Sequence, residues 1–132
     1  MEETMGEKPY YTFEEVLEEQ LQDPEFRREW NRLRLANTVA LEIIRYRAKY
    51  KLSQTAIAEK LGMKQSAIAR LEAAEHNPSF ETLCRLAGVL GIEFLVDIAP
   101  AGRQRRWVNK AAERSGEVID VEGSQVLIAA VS

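Results

Sequence analysis

In 132 residues there is one cysteine and one histidine. Cys84 therefore has no partner for an internal disulfide, and with His76 it falls short of any cysteine-rich zinc pattern. Long apolar runs are also missing. None approaches the roughly 20 residues needed to cross a membrane, so no membrane association is expected. The first residues, "MEETMGEKPYYTFEEVLEEQ", lack both the positive start and the apolar stretch of an export signal, which places the protein in the cytoplasm. There is no glycine-rich phosphate loop, no paired His/Cys/Asp arrangement and no metal-ligand spacing. Hence no enzyme activity, catalytic residue, metal or cofactor is expected. Internal repeats and low-complexity tracts are absent as well.

What the chain does have is a division of charge that its overall net of −3 conceals. Residues 1–25 carry nine acidic side chains against Lys8 alone, whereas residues 26–72 carry eleven basic groups against Glu29, Glu42, Glu59 and Glu72. An acidic arm beside a basic middle implies different partners for the two parts.

Local signals then order the chain. Thr12 three residues before Glu15 has the spacing of a capping box, and Phe13, Val16, Leu17 and Leu21 follow at helical intervals, which predicts an amphipathic helix over about 13–21. Asp23-Pro24 marks a second start. From Pro24 to Tyr50 no proline or glycine intervenes, which fits either one long helix or two that break near Asn37. Ser53 opens the next helix and Gly62 closes it as a left-handed residue would. A further helix runs from about Gln65 to Ala74. After the turn Asn77-Pro78-Ser79 comes a helix with Leu83, Leu86, Ala87 and Leu90 inward, closed by Gly91; Cys84 is placed on its packed side and His76 in the turn. "IEFLVDI" alternates as a strand ending at Pro100. Beyond a polar, basic stretch, "EVIDV" and "QVLIAAV" flank Glu122-Gly123-Ser124 as a hairpin.

With Gln54 taken as the first position of a helix-turn-helix template, each demand of the motif is met. The fifth position must be small so that two helices can close up, and Ala58 is there; the ninth must tolerate positive φ, and Gly62 is there. Ile57, Leu61, Ile68 and Leu71 occupy the fourth, eighth, fifteenth and eighteenth positions, which must be aliphatic. Residues 37–98 thus resemble the phage-repressor (Cro/C1, XRE-type) helix-turn-helix domain, through "LSQTAIAEKLG", "QSAIARLE" and "NPSFETLCRLAGVLGIE". The preceding "LEEQLQDPEFRREWNRLR" is similar to the N-terminal part of HigA-type antitoxins of type II toxin–antitoxin modules. The fold class implied is mainly α: a five-helix phage-repressor-like bundle with an N-terminal helical extension and a small C-terminal β element. Three parts are expected: an acidic helical arm at 1–36, the DNA-binding domain at 37–98, and a basic segment with a β-hairpin at 99–132.

Carried over by position, the resemblance implies that Gln65 and Ser66 face bases in the major groove, that Arg70 reaches a base or phosphate, and that Gln54 contacts a phosphate and braces the recognition helix. Asn77 and Ser79 lie where the loop backbone nears a second phosphate, and Arg45, Arg47, Lys49 and Lys51 add sequence-blind affinity. For Arg70 the competing expectation is a surface ion pair with Glu72. One departure stands out. The family usually has Ser or Thr at position 64 to cap the recognition helix, and Lys64 cannot accept a backbone N–H; a DNA phosphate is expected to supply the missing anion there, which puts Lys64 among the expected DNA contacts.

The resemblance implies a sequence-specific repressor that also neutralises a small, basic HigB-type ribonuclease toxin and autoregulates its operon, with Phe13, Leu17, Leu21, Phe26 and Trp30 as candidate toxin contacts. The alternative is a stand-alone XRE-type regulator without a toxin. Phe26, Trp30 and Leu33 suit a core or a partner equally well. Operator DNA and a second copy of the chain are the other expected partners, since paired half-sites give the affinity that one small domain seldom reaches; "IEFLVDI" or the hairpin is the expected dimer contact. Arg103, Arg105, Arg106, Lys110 and Arg114 extend the DNA footprint, dock a partner, or keep a tail soluble.

Overall fold

The computed structural model describes residues 10–108 and 110–131. Among them the chain forms α1 (Phe13–Gln20), α2 (Pro24–Arg32), α3 (Arg34–Tyr50), α4 (Gln54–Leu61), α5 (Gln65–Ala73) and α6 (Phe80–Leu90) in succession. Strand β1 (Glu93–Pro100), the short helix α7 (Lys110–Ser115) and the hairpin β2 (Glu117–Val121) and β3 (Ser124–Val131) complete it. The mainly helical class with a small C-terminal β element is what the sequence pattern leads to.

Helix starts follow the local signals closely. Thr12 and Glu15 form the reciprocal capping box, and the Asp23, Ser53 and Ser79 side chains each accept a backbone N–H of the helix they open. Gly62 (φ 69°) ends α4 in the left-handed region, which a glycine enters without the steric penalty of a Cβ.

Between Pro24 and Tyr50 there are two helices, and the break falls at Leu33 (φ −103°, ψ 18°) rather than near Asn37. Its cause lies far along the chain. The Asn77 side chain donates from Nδ2 to the Arg32 carbonyl at 3.0 Å, and its Oδ1 accepts from the Ala36 N–H at 3.0 Å. One amide thus satisfies a carbonyl at the end of α2 and an N–H in the first turn of α3, groups that a helix interruption leaves free.

The main core is assembled from Val39 and Ile43 of α3, Ile57, Ala58 and Leu61 of α4, Ile68 of α5, and Leu86 and Leu90 of α6, with Ile92 following. Phe94 of β1 and Ala130 of β3 pack against it, so the sheet is joined to the helical core. Strand order is β1-β3-β2, both pairings antiparallel, with Glu93 opposite Val131 and Pro100 opposite Ser124. The strand begun at Glu93 is therefore paired within the chain on one edge. The hairpin turns on Glu122 (φ 49°) and Gly123 (φ 80°), the doubly positive φ of a two-residue turn matched to strand twist.

A second apolar cluster, Ile119, Val126 and Ile128, lies on the sheet and is covered by Leu35. Around it, Arg34 forms an ion pair with Glu117, and Asn31 Nδ2 donates to the Asp120 carbonyl at 3.2 Å. Burial lowers the Arg34 pKa from its ordinary value. The segment on either side of the α2–α3 junction is thereby docked on the C-terminal hairpin. Cys84, expected on the packed side of α6, is exposed instead; Leu83 and Leu86 take the inward positions.

Candidate nucleic-acid interface

Helices α4 and α5 meet across Gly62; Gln54, Lys64, Gln65 and Ser66 gather at their N-terminal ends, and Arg70 stands in the last turn of α5. Lys64, Gln65, Ser66 and Arg70 are exposed on or beside α5, and Gln54 is half-buried at the start of α4. The α5 N-cap is Lys64, whose side chain makes no capping hydrogen bond, so the first turn presents free backbone N–H groups beside an ammonium. Such an end favours an incoming anion, since the helix dipole and the lysine act with the same sign.

A chain of hydrogen bonds fixes this corner. Arg47 of α3 donates from Nη1 to both carboxylate oxygens of Glu72, at 2.9 and 2.8 Å, and from Nε to the Leu52 carbonyl at 3.1 Å. Gln54 Nε2 donates to Glu72 Oε1 at 2.8 Å, and Gln65 Nε2 donates to Gln54 Oε1 at 2.7 Å. Direction is imposed from one end. An ionised carboxylate only accepts, so Gln54 must turn its amide nitrogen towards Glu72 and its carbonyl towards Gln65. Gln65 must in turn offer nitrogen. What remains free on Gln65 is its carbonyl oxygen and one N–H.

Glu72 and Arg47 were not singled out as functional by the motif. Arg47 was grouped with the cations that add sequence-blind affinity, whereas here its guanidinium is committed to Glu72. A signal for both existed: each lies four residues after a fully buried isoleucine, Ile43 before Arg47 and Ile68 before Glu72, so each sits on the inward side of its helix. A charged residue at such a place needs a partner. With Glu72 so engaged, the surface pair with Arg70 does not form, and Arg70 has no ion pair among the described residues.

Of the loop residues, Asn77 uses its side chain to hold the α2–α3 junction, and Ser79 caps α6 through Thr82. A shallow cleft of about 220 Å³ runs beside α5, with Arg70, His76 and Asn77 on its walls. The candidate partner residues lie elsewhere. Phe13 is 68% exposed on α1, Leu17 and Leu21 are half-buried, and Phe26 stacks on Trp30 with a centroid separation of 6.2 Å. The Arg34 guanidinium lies over the Trp30 ring at 5.7 Å. At the foot of α2, Arg32 beside Glu29 holds that carboxyl below the ordinary carboxylate range.

Comparison with known proteins agrees with this geometry. Residues 43–96 match the helix-turn-helix family model. An immunity repressor protein of Bacillus phage phi105 is 41% identical over 56 residues, which is 42% of this chain and 39% of the phage protein, so the chain spans well under half of that relative. No solved structure gives a significant match.

Proposed function

We propose that the helix-turn-helix domain at residues 43–96 makes this chain a sequence-specific, DNA-binding transcriptional repressor, with α5 in the major groove. The observation that carries the proposal is the directed amide chain from Glu72 through Gln54 to Gln65. It leaves Gln65 with an acceptor and a donor free, which is the pair that adenine's N6–H and N7 require. Ser66 and Arg70 flank it on the exposed face, Arg70 suited to guanine or a phosphate. Lys64 and the uncapped α5 start receive a backbone phosphate, and Gln54 approaches another. Two copies act on paired half-sites.

Selection of bound duplexes from a random pool, followed by anisotropy titration, tests this. An enriched site should contain an adenine whose replacement weakens binding by about 5- to 150-fold, the worth of one bidentate contact. Gln65→Ala should erase that preference. A wild-type protein that enriches no sequence would overturn the proposal.

The finer proposal is that the repressor is also an antitoxin. It rests on the resemblance of the N-terminal segment and on α1, which combines exposed Phe13 and Val16 with Glu14, Glu18 and Glu19 on an acidic surface. A small basic ribonuclease fits that charge. Co-expression with the reading frame beside its gene decides between this and a stand-alone regulator. Rescue from growth arrest with co-purification supports the antitoxin; a neighbour that is expressed, harmless and unbound supports the alternative.

A further inference from the structure

Trp107 is 92% exposed, more than any other large apolar side chain among the described residues. It belongs to the loop 101–108, which leaves β1 at Pro100. Arg103 and Arg106 in the same loop are also exposed, and neither has a carboxylate partner among the described residues. Arg105 behaves differently. Its side chain is 5% exposed, and its Nη1 donates to the Asp97 carbonyl at 3.0 Å and to the Asp97 carboxylate, which pins the loop to β1. Its Nη2 is buried without a partner among the described residues.

Nη2 is closed off from solvent, so Arg105 anchors the loop, and the guanidinium groups that an incoming ligand can reach are those of Arg103 and Arg106. Arg105 lines a cavity of about 140 Å³ together with Asp97, Ile98, Arg103, Arg106 and Trp107. A wider recess of about 490 Å³ is walled by residues 103 to 106. Three guanidinium groups stand against one carboxylate, and that carboxylate is already held by Arg105. The site therefore selects an anion, and the bare indole beside it selects one that carries a flat ring. Arginine beside an exposed aromatic serves both halves of a nucleotide: the phosphate through charge-assisted hydrogen bonds, the base through stacking.

We infer that the loop around Arg103, Arg105, Arg106 and Trp107 binds a nucleotide unit, its phosphate among the arginines and its base on Trp107. The loop lies outside residues 43–96, the part of the chain that matches the helix-turn-helix family model. β1 spans eight residues, so its loop end lies roughly 23 Å from the Glu93 end where the strand leaves α6. The inference therefore stands apart from the repressor proposal. The unit comes either from a free mononucleotide or from an unpaired nucleic-acid strand, whose base is not already stacked on both sides.

The test follows Trp107 emission in the full chain, as the difference between wild type and Trp107→Phe, so that Trp30 cancels. Adenosine 5′-monophosphate and a ten-residue oligodeoxythymidine are titrated separately, each followed by competition with inorganic phosphate. Saturable quenching that phosphate reverses is expected, and Arg103→Gln/Arg106→Gln should weaken it at least tenfold with an unchanged melting temperature. Tenfold tighter binding of the oligonucleotide than of the mononucleotide assigns an unpaired strand as the source; equal affinities assign the free nucleotide. The inference is overturned if neither probe quenches saturably, if the double arginine variant binds as wild type does, or if poly-glutamate alone gives the response, which would make the loop an acidic-peptide site.

Discussion

Glu72 is the residue on which the interface geometry turns, and Glu72→Met tests it. Its side chain is 11% exposed and that of Arg47 is 26% exposed, so the pair is largely withdrawn from water. Removing one member of a buried ion pair costs about 3 to 5 kcal/mol, chiefly because the other charge is left stranded. Arg47 retains the Leu52 carbonyl and some access to water, so the lower end of that range applies, about 3 kcal/mol. For a chain of this size that lowers the melting temperature by roughly 10 °C. Circular dichroism melts at 222 nm read it directly.

The companion variant separates structure from recognition. Arg47→Met/Glu72→Met replaces the pair by apolar groups of similar length, a change that is often neutral once no lone charge remains. It should recover most of the lost melting temperature. DNA affinity should not recover, because Gln54 has lost the acceptor that orients it, and Gln65 its fixed direction. Two results would refute the reasoning: a Glu72→Met melt within about 2 °C of wild type, or a double variant that regains stability and sequence preference together.

Other perturbations address single contacts. Lys64→Ser should raise stability by about 0.5 to 2 kcal/mol by restoring a cap to α5, and should flatten the dependence of log affinity on log salt by about 0.9 if Lys64 holds a phosphate; a melt that does not rise would count against the uncapped start. A Cβ on Gly116 would stand 2.5 Å from Leu127 Cδ1 and 3.1 Å from the Ile128 carbonyl oxygen, so Gly116→Ala should destabilise by about 1 to 3 kcal/mol in urea titration. Cys84 should react at once and completely with a thiol reagent in the native protein, where a packed cysteine would wait for unfolding. Ala74→Gly should stabilise by a few tenths to about 1 kcal/mol, since Ala74 sits at φ 57° where only glycine escapes the Cβ clash.

Elements with a local cause were legible in the sequence, and those with a distant cause were not. Thr12, Asp23, Ser53 and Ser79 cap within three residues of themselves, and Glu122-Gly123 turns the chain by its own dihedral preferences. Each is a choice the chain makes before it packs. The α2–α3 break is different. No proline, glycine or cap marks Leu33, and the interruption is stabilised by Asn77, more than forty residues on. Composition marks the α7 segment only as polar, basic chain. Its Ala112 carbonyl accepts the Gly116 N–H at 2.9 Å, and Gly116 closes against Leu127, a fit that periodicity over six residues cannot signal.

The candidate site divides the same way. Gln54, Lys64, Gln65 and Ser66 follow from motif register, because helical spacing alone brings them to one end of the α4–α5 pair, and Arg70 follows one turn beyond Ser66. Which way an amide points does not follow from spacing. That comes from Glu72, whose two carboxylate oxygens both accept from Arg47, and Arg47 is supplied by a third helix. The same logic reaches the flanking segments. Their composition marks an acidic arm and a basic segment but not what they touch: Asn31, Arg34 and Leu35 dock the α2–α3 junction on the hairpin, and Phe94 with Ala130 docks the sheet on the core. A partner that engages α2 therefore meets a helix already tied to the sheet and, through Asn77, to the loop beside α5. One side chain, Asn77, belongs to both places: it holds the Arg32 carbonyl at the end of α2 and lines the cleft that Arg70 also lines.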